Sequence, residues 1–176
     1  SELLNMAQVE SGQIQLNLRP VTPSEIIDYA VGALRTQADQ KRLRIDLNLA
    51  ADLPPVQADS DKASWVLINF LSNAVRHSPA DARIEVSATR QDNFVEFRVR
   101  DYGAGIRPEH RDRVFDRYFK AAVIGQSGGS NPATANGGTG LGLAISSEFI
   151  QSMNGQIGLD TSVTDGAAFW FRLSVV

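Results

Sequence analysis

The chain has no cysteine among its 176 residues, which excludes disulfides, thiol chemistry and cysteine-ligated metals. A reducing compartment is compatible with that absence. It has no apolar run near the ~20 residues that would cross a bilayer, and no signal-peptide pattern, so no membrane contact is expected of it. Charge of one sign is also missing: 17 Lys and Arg against 20 Asp and Glu leave a net charge of −3. That balance offers no field to attract nucleic acid or an anionic membrane. Arg111, Arg113 and Arg117 form the one mild basic cluster, read as a solvated or phosphate-facing surface. Histidine is scarce, with only His77 and His110. No Gly-Lys pair occurs, so there is no Walker loop, and the dinucleotide spacing GxGxxG fails at every start position.

What is present suits one packed domain. The hydrophobic content of 43% is ample for a core at this length. The chain starts in a helical pattern and without Met, which reads as part of something longer. Leu3, Leu4, Met6 and Val9 predict an apolar helix side, ended by Ser11-Gly12. Gln13 to Leu18 alternates as a half-buried strand would, with Ile14, Leu16 and Leu18 on one face. Thr22-Pro23-Ser24-Glu25 predicts a helix start with a capping box, the helix running to about Gln40. Arg44 to Leu49 alternates again, and Pro54-Pro55 ends it. A second helix opens at Asp59 or Ser60, its apolar face including Trp65, Ile68, Leu71 and Val75. Arg83–Thr89 and Phe94–Val99 predict a hairpin about Gln91-Asp92-Asn93. A short helical piece at Pro108–Arg113 follows, then a low-complexity stretch read as a mobile loop, and a third helix from Gly140 to Met153. Gln156–Thr161 and Ala168–Val175 close the chain as strands around Thr164-Asp165-Gly166. The order predicts an α/β fold, with all helices able to sit on one face of a mixed sheet.

Three segments can carry chemistry. On the second helix, Asn69, Asn73, Arg76 and His77 fall at i, i+4, i+7 and i+8 and share a face. An asparagine carbonyl such as Asn73's can complete a magnesium octahedron that keeps its waters and phosphate oxygens, while Arg76 offsets phosphate charge. A polar face in water, or amides satisfied by backbone, fits the same residues. Asp101-Tyr102-Gly103-Ala104-Gly105 follows a strand. An ionised carboxylate only accepts hydrogen bonds, so Asp101 can take one from the exocyclic amine of adenine but not from guanine's oxygen. An ordinary strand-end turn has the same composition. Gly137-Gly138-Thr139-Gly140-Leu141-Gly142-Leu143 opens the third helix, where exposed N–H groups can hold phosphate oxygens. A glycine-rich hinge is the other reading.

Taken together and in this order, these segments resemble the Bergerat-fold ATP-binding domain shared by sensor histidine kinases, gyrase, MutL and the ninety-kilodalton heat-shock chaperones. The resemblance covers residues 20–176 approximately. It implies a two-layer sandwich: a mixed, mostly antiparallel sheet with three main helices on one face. Asn69 to Ser78 resembles the asparagine box, with Asn73 and Asn69 as metal ligands and Asn69, Asn73 and Arg76 in catalytic roles. Arg76 stands where many members carry Lys. Asp101 to Gly105 resembles the first glycine box, with Asp101 reading adenine and Gly103, Gly105 and Ile106 lining the nucleotide. Phe115 to Lys120 resembles the phenylalanine box, Tyr118 replacing the usual second Phe; Tyr118, Phe119 and Lys120 are placed at the nucleotide. Gly138, Thr139, Gly140, Leu141, Gly142 and Leu143 resemble the last glycine box. The resemblance also places His77 against adenine and lets Lys120 or Arg117 reach the phosphates. It divides the chain into 1–12, the end of a dimerisation helix, and 13–176, a catalytic domain with a lid at about 120–139.

One position separates the branches. Gyrase-like, chaperone-like and anti-sigma-factor serine kinase members resemble one another in carrying Glu four residues before the magnesium asparagine, as a general base. Here Asn69 stands there and cannot take a proton. The expected activity is therefore transfer of the γ-phosphate of Mg-ATP to a histidine in two-component signalling, imidazole needing little activation near neutral pH. The acceptor would lie on a separate dimerisation domain, and the phosphate would pass on to a response regulator. His77 belongs to the nucleotide helix and His110 reads as an exposed helix residue, so the chain is not expected to phosphorylate itself. The resemblance implies a cytoplasmic protein, or the cytoplasmic part of a membrane-bound sensor. The alternatives are a slow conformational ATPase of the gyrase or chaperone type, and a nucleotide-free interaction module.

Overall fold

A computed structural model of the protein describes residues 2–117, 119 and 140–176. In chain order the elements are α1 (Glu2–Ser11), β1 (Arg19–Val21), α2 (Pro23–Gln40), β2 (Arg44–Leu49), β3 (Val56–Ala58) and α3 (Ser60–His77). They continue with β4 (Arg83–Gln91), β5 (Phe94–Asp101), a 3-10 helix (Pro108–Arg113), α4 (Gly142–Ser152), β6 (Gln156–Leu159) and β7 (Ala167–Ser174).

Alternation builds the sheet. Val95, Phe97, Val99 and Asp101 of β5 are buried on one face, while Glu96, Arg98 and Arg100 lie on the other. Five strands order as β2-β4-β5-β7-β6. Among the described residues only β2 and β4 pair in parallel; the other pairs are antiparallel, as the resemblance implied. The parallel pair needs a crossover, and α2 lies before β2 while β3 and α3 fill the connection to β4. The apolar face is covered by α2, α3 and α4, with α3 in the middle against both neighbours. In a largely aliphatic core four phenylalanines meet: Phe97 stacks on Phe171 at 4.8 Å, and Phe70 meets Phe169 at 5.4 Å and Phe171 at 5.9 Å.

Several expectations are corrected. Residues 13–18 are not a strand; Ile14 and Leu16 do pack inward, but strand pairing begins only at Arg19, where β1 meets β3 antiparallel in a small separate sheet. That sheet went unforeseen because three residues give no readable period. Leu3 and Leu4 are 78% and 60% exposed, and α1 buries only Met6 and Val9. The Thr22 side chain makes no capping bond, the Glu25 amide donating instead to the Thr22 carbonyl at 3.1 Å, and the Glu25 carboxylate does not reach back but turns outward to Arg19 at 3.1 Å and Ser60 at 3.0 Å. On α3 the buried stripe centres on Val66, Leu67, Phe70, Leu71 and Ala74 rather than on Trp65 and Ile68, which are only partly covered. No helix among the described residues is long and apolar enough to cross a membrane.

Candidate functional site

The site is organised by the two ends of α3. Asp59 caps the start, accepting from the Lys62 amide at 3.1 Å, and its other oxygen accepts from the Asn17 amide at 3.0 Å. At the far end, Lys41 from just beyond α2 donates to the carbonyls of Val75 at 2.7 Å and Arg76 at 3.4 Å. A cation there suits the negative end of the helix. Burial lowers the Lys41 pKa, without a neighbour strong enough to reverse it. Sequence reasoning missed Lys41, since nothing local ties it to a helix 34 residues on.

Between these ends, the shared face of Asn69, Asn73, Arg76 and His77 turns toward the sheet's end and the start of α4. Arg76 donates to Ser72 Oγ at 3.1 Å and to Asn73 Oδ1. Asn69 Oδ1 is buried with no hydrogen-bond partner. That orphan matters, because a buried acceptor left unpaired is costly and calls for a ligand. Among the described residues no group of three or more His, Cys, Asp or Glu can hold a metal. A metal in this site would therefore rest on amide carbonyls, water and phosphate oxygens, a donor set that magnesium accepts. Asn69 Oδ1 is such an oxygen, unpaired but enclosed, and Asn73 Oδ1 is another, held by Arg76. The residues fit the ion.

Close packing without side chains brings the other two segments in. A Cβ at Gly142 would lie 2.9 Å from Asn69 Cγ and nearer still to its amide nitrogen, so any other residue here would displace the Asn69 side chain. A Cβ at Gly103 would run into the His77 carbonyl, which ties the turn after β5 to the end of α3. Gly105 has φ +79 and Gly140 φ +81, conformations that favour glycine.

Asp101 is 6% exposed. Its Oδ1 accepts from the amides of Gly103 at 2.9 Å and Ala167 at 3.2 Å. Among the described residues Oδ2 takes no hydrogen bond. Burial raises the carboxyl pKa, against the two amides and the Arg100 charge that lower it. The His77 imidazole is held below its usual pKa, first by burial and then by the charges of Arg76 and Lys41. A neutral ring suits a flat heterocycle.

Ile106, Phe119 and Leu143 are partly buried against the core, and Leu141 is buried in it. Phe119 lies under Arg113, whose guanidinium is 5.0 Å from the ring, and meets His110 edge-on at 5.3 Å. His110 is thus half-buried with an enclosed Nδ1, not the exposed helix residue expected, because Phe119 folds back over it. Arg117 pairs with Glu10 of α1 at 3.6 Å. Tyr118, Lys120, Gly138, Thr139 and the expected lid at about 120–139 lie outside the described residues.

Comparison with known proteins places these residues in context. The family described as histidine kinase-, DNA gyrase B- and HSP90-like ATPase matches residues 58–176. The adaptive-response sensory kinase SasA of Gloeothece citriformis is 29% identical over 176 residues, 99% of this chain and 42% of SasA. The alginate biosynthesis sensor protein KinB of Pseudomonas aeruginosa is 29% identical over 175 residues, 99% of this chain and 28% of KinB. The crystal structure of full-length ShkA in complex with AMPPNP superimposes with a TM-score of 0.83 at 27% identity, covering 99% of this chain and 35% of that one. The chain therefore spans less than half the length of these relatives.

Proposed function

Since the chain belongs to the histidine kinase-, DNA gyrase B- and HSP90-like ATPase family, we propose that it binds Mg-ATP and transfers the γ-phosphate to a histidine on a separate acceptor domain. The observation that carries this reading is the buried Asp101, with one oxygen held by two backbone amides and the other taking no hydrogen bond among the described residues. Oδ2 accepts from the adenine amine, and the neutral His77 imidazole lies against the ring. Gly103 and Gly105 let backbone approach the base. The start of α4 at Gly142 presents N–H groups to the phosphates.

Magnesium, when bound, neutralises phosphate charge and orients the transferred group. Asn69 and Asn73 would hold it through their carbonyl oxygens. In that event Arg76 gives up Asn73 Oδ1 and turns its guanidinium to the phosphates, so one side chain serves in turn as placeholder and as clamp. Asn69 takes no proton, so no residue at its position activates water, and transfer waits for an imidazole nucleophile. This favours phosphotransfer over the hydrolysis of a conformational ATPase. Residues 1–12 belong in this reading to the end of a dimerisation helix, and 13–176 to the catalytic domain. The acceptor histidine and a response regulator are its partners, on the strength of relatives named as sensory kinases.

The test is a fluorescent-ATP titration with magnesium and with EDTA, followed by addition of a separate acceptor-helix domain. Tighter binding with magnesium and acid-labile phosphate on the added domain are expected. Multiple turnover without any acceptor would favour the ATPase, and no nucleotide binding at all would overturn the assignment.

A further inference from the structure

A carboxylate that reads one amine must be held at a fixed place and angle. The Gly103 amide on Asp101 Oδ1 is local, two residues along. The Ala167 amide comes from 66 residues away and arrives only if the start of β7 meets the end of β5. Asp101 and Ala167 are the last rung of that pairing. What fixes this rung lies on the opposite, solvent face of the sheet. Arg100 Nη1 donates to the Asp101 carbonyl and, at 3.3 Å, to the Asp165 carbonyl; Nη2 donates to Asp165 Oδ1. Its guanidinium lies 3.8 Å from the Tyr102 ring centroid. Tyr102 is held in turn, donating to Glu85 and accepting from Arg83 at 3.1 Å.

The ion pair alone would do little, since Asp165 is 71% exposed. The carbonyl bonds matter more. Arg100 is only 16% exposed and grips the peptide that carries the carboxylate together with the turn that delivers the Ala167 amide. Gly166, at φ +140, permits the approach: a Cβ there would strike the Asp101 carbonyl and lie 2.8 Å from Arg100 Nη1.

We propose that Arg100, with Asp165, is a positioning residue for purine selection, clamping the β6–β7 turn to the end of β5 so that Asp101 presents one defined oxygen to the base. This rests on the reading of Asp101 as the amine acceptor. Arg100 touches no nucleotide; it acts through the sheet.

The test compares competition binding of Mg-ATP and of the magnesium salt of purine riboside triphosphate, which lacks the 6-amine. The full chain is used, with Arg100→Gln, Arg100→Lys and Asp165→Ala, and Asp101→Asn as reference. Wild type prefers ATP. Arg100→Gln lowers ATP affinity about tenfold and the analogue's by no more than ~twofold, so the preference collapses. Asp165→Ala does the same more weakly, and Arg100→Lys recovers part of the preference. Equal weakening of both nucleotides, as a purely structural role demands, or no change in either, overturns the proposal. Should Arg100→Gln not fold, Arg100→Lys, which keeps the charge but not the fork onto two carbonyls, decides by the same ratio: a preference equal to wild type overturns the proposal. A wild type that binds both nucleotides alike removes the Asp101 reading itself. Preference kept in Arg100→Gln but lost in Asp101→Asn removes only the clamp.

Discussion

The role proposed for Asp101 comes at a cost in stability. Its carboxyl is raised above the ordinary value of 3.8 by burial, so the unfolded chain gives up this proton at lower pH than the folded one. Ionisation therefore works against the fold once pH rises past that value. Asp101→Asn should melt higher than wild type at pH 7, and the gain should vanish as pH falls below 4 approximately, read by thermal unfolding across pH. The same substitution should weaken ATP binding by about 1–3 kcal/mol, read by titration. Unchanged affinity would leave the carboxylate without a purine to read. The residues identifiable from sequence here were those with local company: a carboxylate followed by two glycines, or two asparagines one turn apart. The Ala167 amide, Lys41 and Arg100 were not, because each reaches the site from a distant element.

At the scale of elements, glycine sets the spacing between α3 and α4. Gly142→Ala places a methyl 2.9 Å from Asn69 Cγ, against a side chain held in the packed seam. It should destabilise the fold by about 1–3 kcal/mol in denaturant unfolding and weaken magnesium-dependent nucleotide binding more than binding in EDTA. Equal effects would detach Asn69 from the metal. On the other side of the sheet, Asp160 ties the turn after β6 to β5. Its carboxyl is lowered to about 2, by the Ser162 hydroxyl first and by Arg98 next. A depressed carboxyl stabilises above its ordinary value, and the contribution is lost as pH falls from 4 approximately through 2. Asp160→Asn should therefore lower the melting temperature at pH 7, by an amount that shrinks below pH 4 approximately and is gone only once the pH is well under 2, in a pH series of melts. Boundaries of α2, α3, β2, β4 and β5 were legible because their periods run for six residues or more. The small β1–β3 sheet was not, since its register is set only by folding.

For the whole molecule, the proposed site lies where the turn after β5 meets the end of α3 and the start of α4 meets Asn69, so a ligand there would brace all three elements. Mg-ATP at a hundred times its Kd should stabilise the fold by about 2.7 kcal/mol. At this chain length that is a rise of roughly 5–10 °C in Tm, which EDTA should reduce. A melt insensitive to millimolar ATP would contradict the proposed site. The sequence by itself determined the layer architecture, the sheet's faces and the order of chemical segments, because periodicity, caps and glycine-rich turns are local and act before the chain closes. It also put an amide rather than a carboxylate four residues before Asn73. Tertiary structure alone decided that Asn69 Oδ1 stays buried and unpaired, that Arg76 occupies Asn73, and that Arg100 grips the turn beside Asp101. Those depend on which distant surfaces come within a few ångströms, and strand register and helix spacing fix that only once the whole core has packed.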